Sequence, residues 1–221
     1  SDYLYPKAAF CDPEILRLMP PALTAASGFD AFAQALEGYL SNAENPLGNF
    51  CAQEAMRIIA GVLPQVYRNG GNLELRAAMA WADTLQGVSL ASNAVLTAHV
   101  IGMVLGGRYH IPHGQAVAAV TVAALRHSRQ GATEKLAHIA RLMGCRDKIS
   151  DDQLADWAID AIENLIQTIH LKKSLTEYGV PEEDYETIAR EVRANFAMRL
   201  DADPVPKQVA DLVWILQESA K

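Results

Sequence analysis

The sequence predicts an all-α fold, a multi-helix, bundle-like domain with a short extended segment at its N-terminal end. Alanine and leucine, the strongest apolar helix formers, supply 36 and 24 of the 221 residues. Aromatic residues make up only 7% of the chain, and the scattered β-branched residues argue against a sandwich or barrel. Half of the residues are hydrophobic and a fifth are charged, a balance typical of a globular protein with a large core.

Residues 1–13 are predicted to form the extended segment, at the border of a single helical domain that spans residues 1–221. Residues 7–11 are a short apolar run between Pro6 and Pro13. Because proline cannot donate to a sheet ladder, this run is typical of an edge strand or the tail of a strand. A single strand is not stable alone, so we expect the segment to border a structure that precedes Ser1.

Apolar residues spaced three and four apart predict four helices in the first half of the chain. Ser27 is the predicted N-cap of the first helix, which runs to about Leu40. The second helix is predicted between the break at 45–48 and the break at 69–71. The third is predicted over about 73–91, and the fourth over about 93–105, where it stops at the glycine pair 106–107.

The second half of the chain is also predicted to be helical. Residues 108–114 are expected to form a loop, because they include Pro112 and Gly114. The nearly continuous apolar run from Gln115 to about Leu125 predicts a core helix. Amphipathic helices are predicted near 132–143, 151–170, 182–196 and 205–219.

The charge and cysteine content exclude several classes of protein. With 19 basic and 26 acidic residues, the net charge is −7, which argues against nucleic-acid or anionic membrane partners. No stretch approaches the ~20 apolar residues of a membrane span, and the first residues lack the apolar core of a signal peptide. Three separated cysteines outside any CxxC pattern are typical of reduced thiols. We therefore predict a cytoplasmic protein.

A candidate metal ligand lies on the first predicted helix. Asp30, Gln34 and Glu37 are spaced i, i+4 and i+7, so their side chains share one face with Ala33 and Leu40. That face predicts that Asp30 points inward, where a carboxylate must be paired or bound to a metal. The alternative is an exposed acid near the helix start, stabilised by the helix dipole.

Two histidines extend this candidate site. His99 lies within an apolar helix, and His113 follows Pro112 just before the core helix. Taken separately, His99 is typical of a core histidine and His113 of a helix cap. Together with Asp30 they form a 2-His-1-carboxylate set, which suits Fe(II) with open positions or a catalytic Zn(II) with three protein ligands and a water.

Two motifs resemble those of a known family. The segment PPALTAASGFDAFAQALEGY at 20–39 and the segment HVIGMVLGG at 99–107, followed by IPHG at 111–114, are similar to signatures of the iron-containing (group III) alcohol dehydrogenases. Residues 11–14, CDPE, are similar to the strand-ending Asp-Pro of that family. The resemblance implies the helical, metal-binding C-terminal domain of a dehydroquinate-synthase-like fold.

The resemblance also implies roles for individual residues. The metal-binding aspartate of the family falls on Asp30, and two of its metal-binding histidines fall on His99 and His113. The family usually has a further ligand histidine where this chain has Gln34, which would be a weak fourth ligand or a hydrogen-bond partner of bound water. It often has a histidine beside the substrate and nicotinamide where this chain has Met103, and a thioether cannot shuttle a proton. No residue is assigned as a catalytic acid or base.

The implied activity is that of an NAD(P)-dependent alcohol dehydrogenase that oxidises an alcohol or reduces an aldehyde or ketone. Its implied cofactors are Fe2+ or Zn2+ and NAD or NADP, its partner is a small alcohol or aldehyde, and it is expected to be a homo-oligomer. In the family, a nucleotide-binding domain with a Gly-rich phosphate loop precedes the helical domain. No such loop follows a strand here, and residues 69–71 end a helix. We therefore expect the chain to be part of a dehydrogenase roughly twice its length, with that domain absent.

Two alternative hypotheses remain open at this point. Gln34, Met103 and the missing phosphate loop favour a non-catalytic or metal-free domain of the same fold that acts through association. The other alternative is a different dehydroquinate-synthase-like or glycerol-dehydrogenase-like enzyme that uses the same metal site.

Overall fold

The computed structural model describes residues 6–43 and 45–221, which form eleven α-helices and no strand. The all-α prediction is therefore confirmed for this part of the chain. The helices are α1 (Pro13–Leu16), α2 (Pro21–Leu40), α3 (Pro46–Arg68), α4 (Leu73–Ser92), α5 (Thr97–Tyr109), α6 (His113–Ser128), α7 (Thr133–Leu142), α8 (Asp151–Thr168), α9 (Tyr185–Asn195), α10 (Ala197–Asp201) and α11 (Val209–Glu218).

Helix α2 lies at the centre of the core. Fourteen of its twenty residues are buried, and it packs against α3, α4 and α6. Phe29, Phe32 and Leu36 are fully buried, with small buried residues such as Ala33 and Ala35 between them. A Cβ on Gly28 would lie 2.4 Å from Leu63 Cδ1, so the Leu63 side chain of α3 packs directly against α2 at this glycine. This central helix carries Asp30.

Helix α4 buries polar rather than apolar side chains. Apart from Ala82, its buried residues are Arg76, Gln86 and Ser89. The Arg76 guanidinium donates hydrogen bonds to Gly70 O, Thr24 Oγ1 and Met19 O, so it ties the start of α4 to the start of α2. Larger apolar side chains of the same helix, among them Trp81 and Leu90, are exposed.

The first predicted helix begins earlier than its sequence pattern indicated. We predicted an N-cap at Ser27, but α2 starts at Pro21 after an extended Pro20. Proline is favoured at the first helical position because its fixed φ suits the helix and no N–H is needed there. Ser27 lies inside the helix and donates its hydroxyl proton to Leu23 O, so the predicted cap was wrong.

The helix predicted over 93–105 is shifted toward the C-terminus. It begins at Thr97 and continues through Gly106 and Gly107 to Tyr109. Glycine costs a helix about 1 kcal/mol relative to alanine, and here buried neighbours such as Leu105 offset that cost. His110 then ends the helix in the left-handed conformation, with φ 56°. As a result, the loop predicted over 108–114 shortens to residues 110–112, and His113 opens α6.

The ends of the chain differ from the predictions in detail. Residues 7–11, expected to be an edge strand or strand tail, form no strand. The helix predicted over 182–196 is a 3-10 turn, Glu182–Asp184, followed by α9. The helix predicted over 205–219 is confirmed only from Val209, because a buried loop that contains Asp203 and Lys207 precedes it.

Within the described ranges, no single helix has the length and apolar character to cross a membrane. The pair formed by α4 and α5, bent by 99° at the break between them, passes that test by length and composition only.

Candidate metal centre

Three side chains from three helices converge at one point. Asp30 comes from the middle of α2, His99 from the first turn of α5, and His113 from the first residue of α6. Asp30 Oδ1 lies 3.3 Å from His99 Nε2 and 3.4 Å from His113 Nε2. One ligand atom from each residue lies within 4.8 Å of the other two. The structure thus brings together the three residues that the sequence singled out.

A close helix contact carries His113 to this point. A Cβ on Gly114 would lie only 2.2 Å from the backbone oxygen of Ala26, so only glycine allows the start of α6 to touch α2 at this position. Ala26 lies one helical turn before Asp30. Similarly, a Cβ on Gly102 would lie 2.9 Å from Val117 Cγ2, so α5 packs tightly on α6. These two glycines set the spacing of the three ligand-bearing helices.

Two of the converging atoms are buried without a hydrogen-bond partner. They are Asp30 Oδ1 and His99 Nε2. Leaving a buried polar atom unpaired costs free energy, and nearly all such atoms in folded proteins are satisfied. A divalent cation between them would satisfy both. One carboxylate and two imidazoles are also a donor set that iron and zinc accept, so the residues present fit a metal.

Gln34 lies beside this cluster and contacts Asp30. Its Nε2 donates a hydrogen bond of 2.9 Å to Asp30 Oδ2, one helical turn along α2. A carboxylate accepts and does not donate, so the amide nitrogen must face it. Gln34 therefore occupies one carboxylate oxygen and leaves Oδ1 directed toward the two histidines.

Glu37 is the functional residue that sequence reasoning missed. Its side chain is buried, and its carboxylate accepts hydrogen bonds of 2.7 Å from Leu96 N, Ala98 N and His99 Nδ1. The sequence placed Glu37 on the same face as Asp30 but gave it no role. The signal available was the i, i+7 spacing, which puts both carboxylates on the side of α2 that faces α5.

The electrostatics of His99 reflect its two acidic neighbours. Burial opposes protonation of the ring, but the charge and hydrogen bond of Glu37 and the nearby Asp30 carboxylate together outweigh it and raise the pKa of His99 to about 9. The site therefore attracts positive charge, whether a proton or a metal ion. A metal ion must displace the proton from Nε2 to bind there.

Met103 lies one helical turn beyond His99 on α5 and does not join the metal cluster. Its side chain is 43% exposed and lines an open cavity of about 450 Å³ together with Arg108, Glu191 and Phe196. The residue next to the site is therefore apolar and accessible.

A further acidic residue lies near Asp30. Burial, and next the charge of Asp30, raises the pKa of Asp83 above its ordinary value. Asp83 lines a cavity of about 380 Å³ between the N-terminal segment and helices α2 and α4. No spacing in the sequence connects Asp83 to Asp30, because the two residues lie on different helices.

Comparison with known proteins gives consistent matches. The profile described as Fe-containing alcohol dehydrogenase family, C-terminal, matches residues 24–220. NAD-dependent methanol dehydrogenase from Bacillus methanolicus is 30% identical over 220 residues, which are 99% of this chain and 57% of that protein. 1,3-Propanediol dehydrogenase from Klebsiella pneumoniae is 36% identical over 185 residues, covering 83% of this chain and 48% of that protein.

Solved structures agree with these matches. The crystal structure of a 1,3-propanediol oxidoreductase superposes with a TM-score of 0.91 at 32% identity, covering 94% of this chain and 54% of the other. An alcohol dehydrogenase from Oenococcus oeni gives a TM-score of 0.90 at 30% identity. The chain spans about half the length of the relatives it matches.

Proposed function

The chain belongs to the iron-containing alcohol dehydrogenase family, as its C-terminal helical domain, and from this membership we propose that it is the metal-binding part of a nicotinamide-dependent alcohol dehydrogenase. The single observation that carries the proposal is the convergence of Asp30 Oδ1, His99 Nε2 and His113 Nε2 from three helices. Two of these atoms are buried and otherwise unpaired.

The proposed reaction oxidises a small alcohol to an aldehyde or ketone, or runs in reverse. NAD or NADP, when bound, would accept or supply the hydride at the carbon that bears the oxygen. Asp30, His99 and His113 would hold Fe2+ or Zn2+, which would supply Lewis-acid polarisation of the substrate oxygen when bound. The relatives support this proposal, because one carries NAD-dependence in its name and several are named for alcohols.

The other residues around the site have supporting roles in this proposal. Gln34 holds the second oxygen of Asp30, so that the carboxylate offers one oxygen to the metal. Met103 presents an apolar, accessible surface one turn from His99, where the nicotinamide or substrate would lie. Because a thioether cannot accept or donate a proton, the proton of the alcohol must leave through another group or through water.

Metal analysis tests the proposed site directly. Purified wild-type chain is expected to hold close to one equivalent of iron or zinc by elemental analysis, and His99→Ala and His113→Ala are expected to lose it, because each removes one of three ligands. The matched control is His110→Asn, an exposed histidine in the short loop between α5 and α6 with φ 56°, a conformation that asparagine tolerates. Stoichiometric metal in both ligand variants would contradict the assignment.

Activity is tested in the complete product of the gene that encodes this chain. We expect it to reduce NAD or NADP in the presence of methanol, 1-propanol or 1,3-propanediol, and His99→Ala to abolish this reduction. Parallel assays with NAD and NADP identify the preferred nucleotide. Failure to reduce either nucleotide with any alcohol in a metal-loaded preparation would reject the proposed activity.

A second candidate function is a metal-free domain that acts through association. Gln34 binds Asp30 as a donor rather than as a ligand, and α4 exposes Trp81, Val88 and Leu90, which suits contact with another chain. The exposed side chains are equally compatible with the homo-oligomer proposed for the dehydrogenase. Nicotinamide reduction would reject the association hypothesis, whatever the oligomeric state by sedimentation.

We further propose that the protein acts in the cytoplasm. In the described part of the chain, Cys11, Cys51 and Cys145 are all free thiols, and free thiols persist where the environment is reducing. Fractionation of cells that express a tagged full-length protein tests this location.

A further inference from the structure

Glu37 places a carboxylate at the start of α5, behind the candidate metal centre. The residue is 6% exposed, so both carboxylate oxygens are removed from water. Oε2 accepts from Leu96 N and His99 Nδ1, and Oε1 accepts from Ala98 N. Burying a carboxylate is costly unless its oxygens are hydrogen-bonded, and these three donors meet that requirement.

Two of the three hydrogen bonds cap α5 from outside the helix. The first backbone N–H groups of a helix have no partner within it, and Leu96, at the N-cap of α5, makes no side-chain hydrogen bond to them. Glu37, which belongs to α2, accepts the N–H groups of Leu96 and Ala98 instead. This contact fixes the position of the first turn of α5, and His99 lies in that turn.

The third hydrogen bond determines which nitrogen of His99 is available as a ligand. An ionised carboxylate can only accept, so His99 Nδ1 must carry the proton that it donates to Glu37. In a neutral ring this leaves the lone pair on Nε2. Nε2 is the atom that lies 3.3 Å from Asp30 Oδ1, at the centre of the proposed ligand set.

We propose that Glu37 is a positioning residue for the metal centre, because it holds the Nδ1 proton of His99 and thereby presents Nε2 as a ligand. The inference rests on the proposed function for the metal itself. A carboxylate that receives the second ring proton of a ligand histidine orients the ring and raises its basicity, and loss of such a partner typically weakens metal binding roughly 10- to 100-fold.

A purely structural role for Glu37 makes a different prediction. If Glu37 only caps α5, any damage to the first turn of that helix would weaken metal binding to a similar degree. Thr97 provides the matched comparison, because its hydroxyl donates to Asp203 Oδ2 at 2.6 Å in the same turn. It makes no side-chain hydrogen bond to Glu37 or His99.

The test compares Glu37→Gln with Thr97→Val in the 221-residue chain, using Zn2+ as the probe. Zinc affinity is measured by competition with a chromophoric chelator at pH 7, and thermal unfolding is followed on the metal-free samples. We expect Glu37→Gln, which keeps the shape but loses one acceptor and the charge, to weaken zinc binding roughly 10- to 100-fold. Thr97→Val is expected to lower the melting temperature but to keep zinc affinity within about threefold of wild type, because its substitution does not touch the ligand.

A second measurement reads the protonation of the His99 ring directly, first in the wild-type chain and then in Glu37→Gln. In the zinc-loaded wild-type chain, proton–nitrogen NMR of the histidine rings is expected to show His99 protonated at Nδ1, with a slowly exchanging proton, and unprotonated at Nε2. In Glu37→Gln the same proton is expected to move upfield and to exchange faster. His110, exposed and outside the site, serves as the reference ring.

The outcomes separate this inference from the function on which it rests. Equal zinc affinity in Glu37→Gln and wild type, or equal loss in Glu37→Gln and Thr97→Val, would overturn the positioning role and leave the metal site standing. Zinc bound through Nδ1 of His99 in the wild type would overturn it without any variant. A wild-type chain that binds no zinc and no iron would overturn the proposed metal site and the positioning role together.

Discussion

Asp203 and Lys207 form a buried ion pair within the loop between α10 and α11. Lys207 is fully buried, and its Nζ lies 2.6 Å from Asp203 Oδ1 and 2.7 Å from Ser128 Oγ. Burial lowers the pKa of Lys207, and the charge of Asp203 opposes that effect. Asp203 also accepts a hydrogen bond from Thr97 Oγ1. The pair therefore connects the loop before α11 to the start of α5, through Thr97, and to the end of α6, through Ser128.

Removal of one member of this pair is expected to be strongly destabilising. Lys207→Met leaves the buried Asp203 carboxylate without its countercharge, so we expect a loss of about 3–5 kcal/mol in the free energy of unfolding. Urea denaturation measures it. Lys221→Met, which breaks an exposed pair with Glu218, is the control and should change stability little. If both variants lose the same free energy of unfolding, burial does not explain the contribution of the Asp203–Lys207 pair to stability.

Tyr109 predicts a pH dependence at alkaline pH. Burial, and next the hydrogen bond from its hydroxyl to Asp184 Oδ2, raises the pKa of Tyr109 to about 12. Because the folded state holds this proton more tightly than the unfolded state, its contribution to stability is fully present below about pH 10 and is lost as the pH rises toward 12. The stability difference between wild type and Tyr109→Phe is therefore expected to shrink over that range. A difference that stays constant from pH 9 to 12 would contradict the raised pKa.

At the scale of single elements, glycine positions decide how closely the ligand-bearing helices approach. In Gly114→Ala the new methyl group would meet the backbone oxygen of Ala26 at 2.2 Å, and backbone cannot move aside as a flexible side chain can. We expect a loss of about 1–3 kcal/mol and, because His113 moves with the start of α6, weaker zinc binding by chelator competition.

Gly61→Ala is the matched control for that substitution. Gly61 lies in α3, and a Cβ there would have no neighbour within 4 Å. Alanine is better than glycine inside a helix by roughly 0.5–1 kcal/mol, so this variant is expected to be slightly more stable with unchanged zinc affinity. Zinc binding in Gly114→Ala equal to that of Gly61→Ala would show that the close contact does not position His113.

The helices whose bounds the sequence predicts well are those whose ends are set by residues next to them in the chain. Helices α3 and α4 end at Asn69 and Asn93, α8 begins after the Ser150 cap, and the predicted bounds of all three agree closely with the structure. The start of α5 was missed because its cap comes from Glu37 on α2, 59 residues earlier than Leu96. No local pattern carries that information.

The same distinction applies to the candidate site. The helical face of Asp30 and the surroundings of His99 and His113 made these residues candidates, and the family resemblance assigned them as ligands. Gln34 also lay on that face, but only the structure shows its amide donating to Asp30. The contact of Glu37 with His99 and the proximity of Asp83 to Asp30 arise between helices that are distant in sequence, so no local pattern indicates them.

At the scale of the whole molecule, the candidate metal centre is built from three helices, and its geometry depends on how they pack together. Asp30, His99 and His113 are drawn from α2, α5 and α6, and the set exists only when those helices are packed. The acidic partners concentrate negative charge at this point, since the Asp30 and Glu37 carboxylates both contact His99. In the unfolded chain the three residues are far apart, so a metal ion that binds here binds the folded state selectively.

Zinc is therefore expected to stabilise the fold through linkage. A ligand that binds only the folded state adds RT ln(1 + [L]/Kd), or about 2.7 kcal/mol when free zinc is 100 times the dissociation constant. Urea unfolding of the wild-type chain with and without buffered zinc measures this increment. His113→Ala should show almost none of it, while His110→Asn should show all of it, because His110 lies outside the ligand set. Equal stabilisation of wild type and His113→Ala would mean that zinc binds elsewhere on the fold. The proposed site formed by Asp30, His99 and His113 would then be wrong.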